Sequence, residues 1–266
     1  MSDPVTPQQT PSPYTNAPHE AGAAAMTTPQ TLANIFFEPG RTFEALRERP
    51  RFLVAALLTA LMVMAFTLVM FQRVSYDAMI REAVESNPRT ADMPAEQKER
   101  IIEMQTKPVF KIIGFVAPLL VVFVFLAAGA GIYLLGAMLM GKGMSYRQAL
   151  SVWAYSSFPP TVLLMLANII MLLVQPPEPA EAAKSRGGLI HANLSILVDG
   201  TNHPILATLL GSFDLFIFFG LFLAAVGLHK VARLSKGAAW AVVIAIWLLG
   251  VILKLAFATL TGSPIA

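Results

Sequence analysis

The chain is a series of long apolar runs separated by short polar or charged segments. The first run, 52–71, has 20 residues without a charge, which matches the ~20 residues that an α-helix needs to cross the ~30 Å hydrocarbon layer of a bilayer. Four further apolar runs follow. The pattern predicts an all-α integral membrane protein, a bundle of five transmembrane helices over 52–71, 112–140, 150–174, 205–228 and 238–260.

The segment before the first run divides into two parts. Residues 1–30 are rich in Pro, Thr and Ala and contain no apolar stretch of the signal-peptide kind, so we expect a disordered tail. Residues 31–49 carry apolar side chains at helical spacing, interrupted at Pro39-Gly40. They predict an amphipathic surface helix, with membrane-surface contacts from Phe36, Phe37, Arg41, Phe43 and Arg47.

Two long loops separate the runs. Residues 73–111 contain seven acidic and seven basic residues, which predicts short helices outside the membrane. The second loop, 175–204, includes an apolar stretch at 189–198. Ten residues are too few to span a bilayer, so we expect this stretch to pack on the membrane or on the bundle.

Composition agrees with a membrane protein. The chain is 56% hydrophobic and 13% charged, and its mean hydropathy is +0.63, whereas soluble domains average ~25% charged residues. The net charge is only +3, and the basic residues cluster at the ends of apolar runs, which argues against nucleic acid as a partner. With no cysteine, disulfides, thiolate metal sites and cysteine nucleophiles are excluded.

The orientation follows from where lysine and arginine lie. Each side of the five predicted helices has nine of them. On one side most lie among acids in the 73–111 loop, whereas on the other the two short turns contain no acid. Because lysine and arginine near helix ends favour the cytoplasm, we expect the N-terminus inside and the C-terminus outside, with Arg41, Arg47, Arg49, Arg51, Lys142, Arg147, Lys230, Arg233 and Lys236 on the cytoplasmic side.

Three polar residues within the runs are candidates for a function inside the membrane. Asp214 lies about ten residues into the fourth run, where an ionised carboxylate costs roughly 2.5–3.5 kcal/mol and needs a partner or a proton. Lys254 in the fifth run reaches the same leaflet, where it pairs with Asp214 or extends to the surface. Asn168 in the third run is suited to interhelical hydrogen bonding.

The sequence gives little indication of a metal site or of a catalytic site. His191 and His203 flank Asp199, but their spacing fits no metalloenzyme motif, and no run contains a nucleophile with a base. We therefore expect no enzyme, no metal and no cofactor. Small residues around Gly129 and Gly131 favour close helix packing, either within the chain or between two copies in a homo-oligomer.

Three motifs occur in order along the chain. Residues 35–43 read IFFEPGRTF before the first run, 145–159 begin SYRQAL and include Tyr155 and Pro159, and Asp214 opens DLF ahead of Gly227. In this order the chain resembles the Yip (Ypt-interacting protein) domain family over about 31–260. The motif positions are Pro39, Tyr146, Arg147, Tyr155, Pro159, Asp214 and Gly227.

The resemblance implies a membrane adaptor and not an enzyme. Eukaryotic members of this family are associated with small Rab-type GTPases and with traffic between endoplasmic reticulum and Golgi. The alanine-rich sequence looks more like a bacterial member of the cytoplasmic membrane, so a small GTPase is expected as a partner only if the source is eukaryotic.

Two functions remain open at this point. The leading hypothesis is an adaptor that organises an unidentified protein partner or local bilayer shape, with 31–49 and the basic turns on anionic lipid head groups. The alternative is a carrier or channel for a small solute or proton, using Asp214 and Lys254, with Pro118, Pro159 and Pro160 breaking helices. The absence of an evident inverted repeat weakens this alternative.

Overall fold

The structure, a computed structural model, describes residues 26–179, 182, 189–190, 192–200 and 202–264. Within them the regular secondary structure is helical, apart from one isolated β-bridge. Most of the tail predicted over 1–30 lies outside these residues, and its last three residues are already helical, because the capping box of Thr27 and Gln30 starts a helix at Thr28. In chain order the helices are α1 (Thr28–Phe37), α2 (Pro39–Glu48), α3 (Leu53–Arg73), α4 (Tyr76–Glu85), α5 (Ala95–Gln105), α6 (Pro108–Leu139), α7 (Tyr146–Val174), α8 (Pro204–Gly211), α9 (Leu215–Val231) and α10 (Lys236–Thr261).

Helices α3, α6, α7 and α10 are each long and apolar enough to cross a membrane. Their outward side chains are large and hydrophobic, for example Leu120, Val124 and Leu248, as expected of surfaces that face lipid. The membrane class predicted from sequence is confirmed. Helix α6 continues through Pro118 and α7 through Pro159 and Pro160, so these prolines do not end either helix.

The prediction of one continuous helix over 205–228 was wrong. The chain breaks at Ser212, Phe213 and Asp214, between α8 and α9. At 1.5 Å per residue, α9 is about 26 Å long and α8 about 12 Å, so neither covers the ~30 Å hydrocarbon layer alone. A fifth crossing therefore requires both helices together.

Helix α7 lies at the centre of the bundle, against α3, α6 and α9. Glycine allows its closest contact: a Cβ on Gly129 of α6 would lie 2.2 Å from the ring of Trp153 on α7. The same ring packs against Tyr133, with 4.9 Å between ring centroids. Trp153 is thus held between two residues of α6.

The α1–α2 pair packs against the ends of α7 and α9. Ile35, Phe43 and Leu46 are fully buried there, so the apolar side of the pair faces protein. The segment is helical and broken before Pro39, and its place at the membrane surface stays a prediction. The break between the helices falls at Glu38, since Pro39 fits the first turn of a new helix but cannot continue the previous one.

The charged first loop forms the helical hairpin α4–α5. Arg81 donates two hydrogen bonds of 2.9 Å to the carboxylate of Glu99, and these bonds lower the pKa of Glu99. Lys111 at the start of α6 lies 2.8 Å from Asp77. These ion pairs connect the hairpin internally and to the bundle.

The bundle has two different ends. We call the end with α1–α2, the α6–α7 turn and the α9–α10 turn the basic end. The opposite end, with α4–α5 and the second loop, is the hairpin end. Chain direction places the start of α3 at the basic end and the last residues of α10 at the hairpin end.

Candidate functional site

Helix α2 is connected to two other helices at the basic end. The Glu44 carboxylate accepts a hydrogen bond of 2.6 Å from the Lys230 ammonium group on α9. The Arg47 guanidinium donates a longer one of 3.4 Å to the Lys230 carbonyl, and the Arg47 carbonyl accepts one of 2.8 Å from the Gln148 amide on α7. These bonds fix the position of Arg47 relative to α7 and α9.

Gln148 holds this position because of the local sequence of α7. Ser145 caps the helix by accepting from the Gln148 backbone N–H at 3.2 Å, and the Gln148 side chain accepts from the Ser145 backbone N–H at 2.8 Å. This capping box starts α7 next to α2. Tyr146 donates from its hydroxyl to the Ala127 carbonyl of α6 at 2.9 Å, and Arg147 is exposed.

The α9–α10 turn is tightly constructed. The His229 Nδ1 atom lies 2.7 Å from the carbonyl oxygen of Leu234, whose side chain is buried. Arg233 between them has φ +56°, a backbone conformation that is uncommon for residues other than glycine. Ser235 then caps α10. In this turn the Arg233 side chain is exposed on the surface, whereas the Leu234 side chain is buried in the core.

An open cleft of about 310 Å³ lies between these elements, lined by Arg47, Gly143, Gln148, Val231, Ala232 and Arg233. Neither arginine has a carboxylate within ion-pair distance in the part of the chain that the structure describes. The cleft is thus a positively charged depression at the basic end.

The five predicted membrane-surface residues have different environments. Phe37 is 83% exposed, and Arg41 is exposed beside Glu38 at 3.3 Å. Phe36 is partly buried, with its ring centroid 6.0 Å from that of Phe158, and Arg47 borders the cleft. The prediction was wrong for Phe43, which is fully buried under α2 and inaccessible to lipid.

Phe43 is buried because Gly227 of α9 has no side chain. A Cβ on Gly227 would lie 2.8 Å from Val152 and 3.0 Å from the Phe43 ring. Two other motif residues on α7, Tyr155 and Pro159, are also buried. The Tyr155 hydroxyl has no hydrogen-bond partner among the described residues. The motif residue Pro39 is the first residue of α2.

Replacing Gly227 with alanine is expected to destabilise the protein by roughly 1 kcal/mol, because the new methyl group overlaps Val152 and Phe43. The loss is expected to be local, with faster hydrogen exchange of the α2 amides. Hydrogen exchange by mass spectrometry checks this. The matched control is Gly237→Ala, since Gly237 has open space around it; faster α2 exchange in both variants would contradict the explanation.

The intramembrane candidate Asp214 is the N-cap of α9. Its carboxylate accepts from the backbone N–H of Phe216 at 2.8 Å and of Ile217 at 3.4 Å, and from the side-chain amide of Asn193 at 3.2 Å. It is 9% exposed. The carboxylate therefore satisfies backbone donors that the helix break leaves without partners.

Other bonds complete the break. The Trp247 indole N–H of α10 donates to the Ser212 carbonyl at 3.3 Å, and the Leu215 N–H donates to the Ala192 carbonyl at 3.1 Å. Non-helical backbone at membrane depth would require such internal partners, and the 192–193 segment and Trp247 provide them at this break.

The other intramembrane candidates make no direct ion pair or hydrogen bond with Asp214 among the described residues. Lys254 is partly buried on α10 and interacts electrostatically with Asp214, but the ion pairs of the described residues do not include one between them. Asn168 instead accepts from the Ile190 N–H at 3.0 Å and attaches the second loop to α7. His203 precedes α8, and His191 lies outside the described residues.

Three residues have structural roles here that the sequence analysis did not predict. Gln148 had a readable signal, since the spacing Ser145-x-x-Gln148 is that of a capping box. Asn193 had none, because its partner Asp214 is 21 residues away. The special role of Arg233 was also unreadable, because its left-handed backbone follows from the packing of the turn.

These features define a multi-pass helical membrane protein with a positively charged cleft at one end. A family model for the Yip1 domain matches residues 33–257, and the chain belongs to this family, as the resemblance predicted. The chain is also 27% identical over 229 residues to the membrane protein YknW of Bacillus subtilis (strain 168), covering 85% of this chain and 88% of that protein. No solved structure matches the chain significantly.

Proposed function

We propose that the protein is a non-enzymatic adaptor that holds a protein partner at its basic end, on the cytoplasmic side of a bacterial membrane. The observation that carries the proposal is the α1–α2 pair. Its inner side is fixed by the fully buried Ile35, Phe43 and Leu46, while Phe37 is 83% exposed. An aromatic side chain on an immobile helix is typical of residues that dominate binding between proteins.

The orientation and the source are part of this proposal. The basic end has two short turns with Lys142, Arg147, Lys230, Arg233 and Lys236 and no acid, which favours the cytoplasmic side. The broken pair α8–α9 then completes a fifth crossing and leaves the C-terminus outside. Because the relative YknW is bacterial, the small GTPases of eukaryotic members form no part of the proposal.

The carrier alternative is not retained. It needs Asp214 as a group that exchanges a proton or solute, whereas the carboxylate accepts from two backbone N–H groups and from Asn193. A carboxylate engaged in this way has a structural explanation for being inside the membrane.

The test is cross-linked co-purification of partners from native membranes, with the double variant Phe37→Ala, Arg41→Ala. Recovery of the partner is expected to fall at least about tenfold, as for loss of a central binding residue. The matched control is Met104→Ala, Arg100→Ala on the exposed side of α5 at the hairpin end, which is expected to recover the partner normally.

Surface variants are required because deleting α1–α2 would also remove Ile35, Phe43 and Leu46 from the core. Equal recovery by the wild type and by both variants would contradict a partner site on α1–α2.

A further inference from the structure

We propose that the cleft between Arg47 and Arg233 is a binding site for the phosphate group of an anionic phospholipid. The inference deepens the proposed function and rests on it in one respect, the placement of the basic end at the cytoplasmic leaflet. It adds a defined lipid site to the partner site on α1–α2.

The charges of the cleft match a phosphate. Each guanidinium has five N–H donors and prefers bidentate contacts with phosphate oxygens. Arg47 uses one donor on the Lys230 carbonyl, which leaves others free. The nearby acid Glu44 is already bonded to the Lys230 ammonium group, and Glu38 to Arg41.

The cleft is also constructed before a ligand arrives. Gln148 holds the backbone of Arg47 through its carbonyl, and the His229–Leu234 contact holds the turn that carries Arg233. Gly143 and Ala232 line the space between them with little side-chain volume. A fixed backbone at both arginines reduces the conformational entropy lost on binding, which favours a specific site over diffuse attraction.

The position of the cleft favours a lipid over a soluble phosphate. It lies at the ends of α7 and α9, where the apolar outer surface of the bundle begins. Tyr146, the first residue of α7, and Trp240, one turn into α10, are both more than 40% exposed. Exposed aromatic residues mark the level of lipid head groups. An open cleft at this level admits a head group while its acyl chains remain in the bilayer.

The experiment measures lipid binding to the purified full-length protein in neutral detergent by native mass spectrometry, with phosphatidylglycerol and phosphatidylcholine as probes. The variant Arg47→Gln, Arg233→Gln is expected to bind phosphatidylglycerol at least about tenfold more weakly than wild type, since each basic residue near a head group contributes several-fold to affinity. The matched control Lys142→Gln, Lys236→Gln removes the same charge from exposed positions at the same end. It is expected to stay within about twofold, because neither lysine lines the cleft and exposed charges contribute little. Phosphatidylcholine is expected to bind weakly to all three proteins.

Two further arms make the result decisive. The variant Arg47→Lys, Arg233→Lys keeps the charge and is expected to keep the fold even where the glutamine variant does not. It is expected to bind phosphatidylglycerol more weakly than wild type, because lysine lacks the planar pair of donors. Millimolar glycerol 3-phosphate is expected not to displace the lipid, and displacement would assign the cleft to a soluble phosphorylated ligand.

Equal losses in the cleft variant and the control, or no loss in either, would overturn the site. Partner recovery distinguishes this failure from failure of the proposed function. The Arg47→Gln, Arg233→Gln variant is expected to retain the partner that the Phe37→Ala, Arg41→Ala variant loses, so either proposal can fail while the other stands.

Discussion

Replacing Gly129 with alanine is expected to destabilise the bundle by about 3 kcal/mol, the upper part of the range for overpacked cores. The new Cβ would lie 2.2 Å from Trp153, in contact with inner atoms of its ring system. Trp153 cannot move aside easily because Tyr133, itself buried, packs against it. Thermal unfolding in detergent measures the loss.

The neighbouring glycine provides the control. Gly131 has nothing within 4 Å of the position of a new Cβ, so Gly131→Ala is expected to be neutral or slightly stabilising, because alanine favours helix over glycine by up to about 1 kcal/mol. Equal destabilisation by the two substitutions would mean that the α6–α7 contact at Trp153 does not have the described geometry.

Replacing Asp214 with alanine is expected to cost about 2 kcal/mol or more. The substitution removes the acceptor of the Phe216 and Ile217 N–H groups and of the Asn193 amide, and buried donors without a partner are costly. Asp214→Asn is expected to cost less, about 1 kcal/mol, since asparagine caps helices as well as aspartate does and loses only the oxygen that accepts from Asn193.

Stability and insertion of the two Asp214 variants are compared in the same detergent and membranes. A carboxylate that carries protons or solute would make asparagine as harmful to function as alanine. An asparagine variant that unfolds as readily as the alanine variant would contradict the capping role, because asparagine keeps the oxygen that accepts from the two backbone N–H groups.

The parts of the fold that depend on hydropathy alone could be predicted from sequence. Runs of about 20 or more apolar residues indicate helices in a bilayer, and α3, α6, α7 and α10 occur where such runs occur. The break before α9 could not be predicted in this way. Its residues continue an apolar run, and it is stabilised by Trp247 and Asn193, which are distant in sequence.

In the candidate site, too, local features could be predicted from sequence, whereas contacts between distant residues could not. Apolar spacing predicted helical structure over 31–49, but spacing does not tell whether lipid or protein covers the apolar side. Burial of Phe43 depends on Gly227, 184 positions further along. The cleft likewise requires α2, α7 and the α9–α10 turn to meet, so neither Arg47 nor Arg233 identifies it from sequence.

Membership of the Yip1 family and the position of α1–α2 support the same account of the protein. The family match covers α2 and the bundle together, and α2 is bonded to α7 and α9. A partner held on α1–α2 would therefore be held rigidly with respect to the membrane. This rigid connection is the property that an adaptor needs.

The most direct test of the partner site is photo-cross-linking from single positions in living cells. A photoreactive amino acid at position 37 on α1 is compared with one at position 104 on α5, which is exposed at the hairpin end. The expected result is a cross-linked protein from position 37 that is the same protein recovered by co-purification, and none of it from position 104. Cross-linking of that protein from position 104 and not from position 37 would contradict an adaptor surface at the basic end.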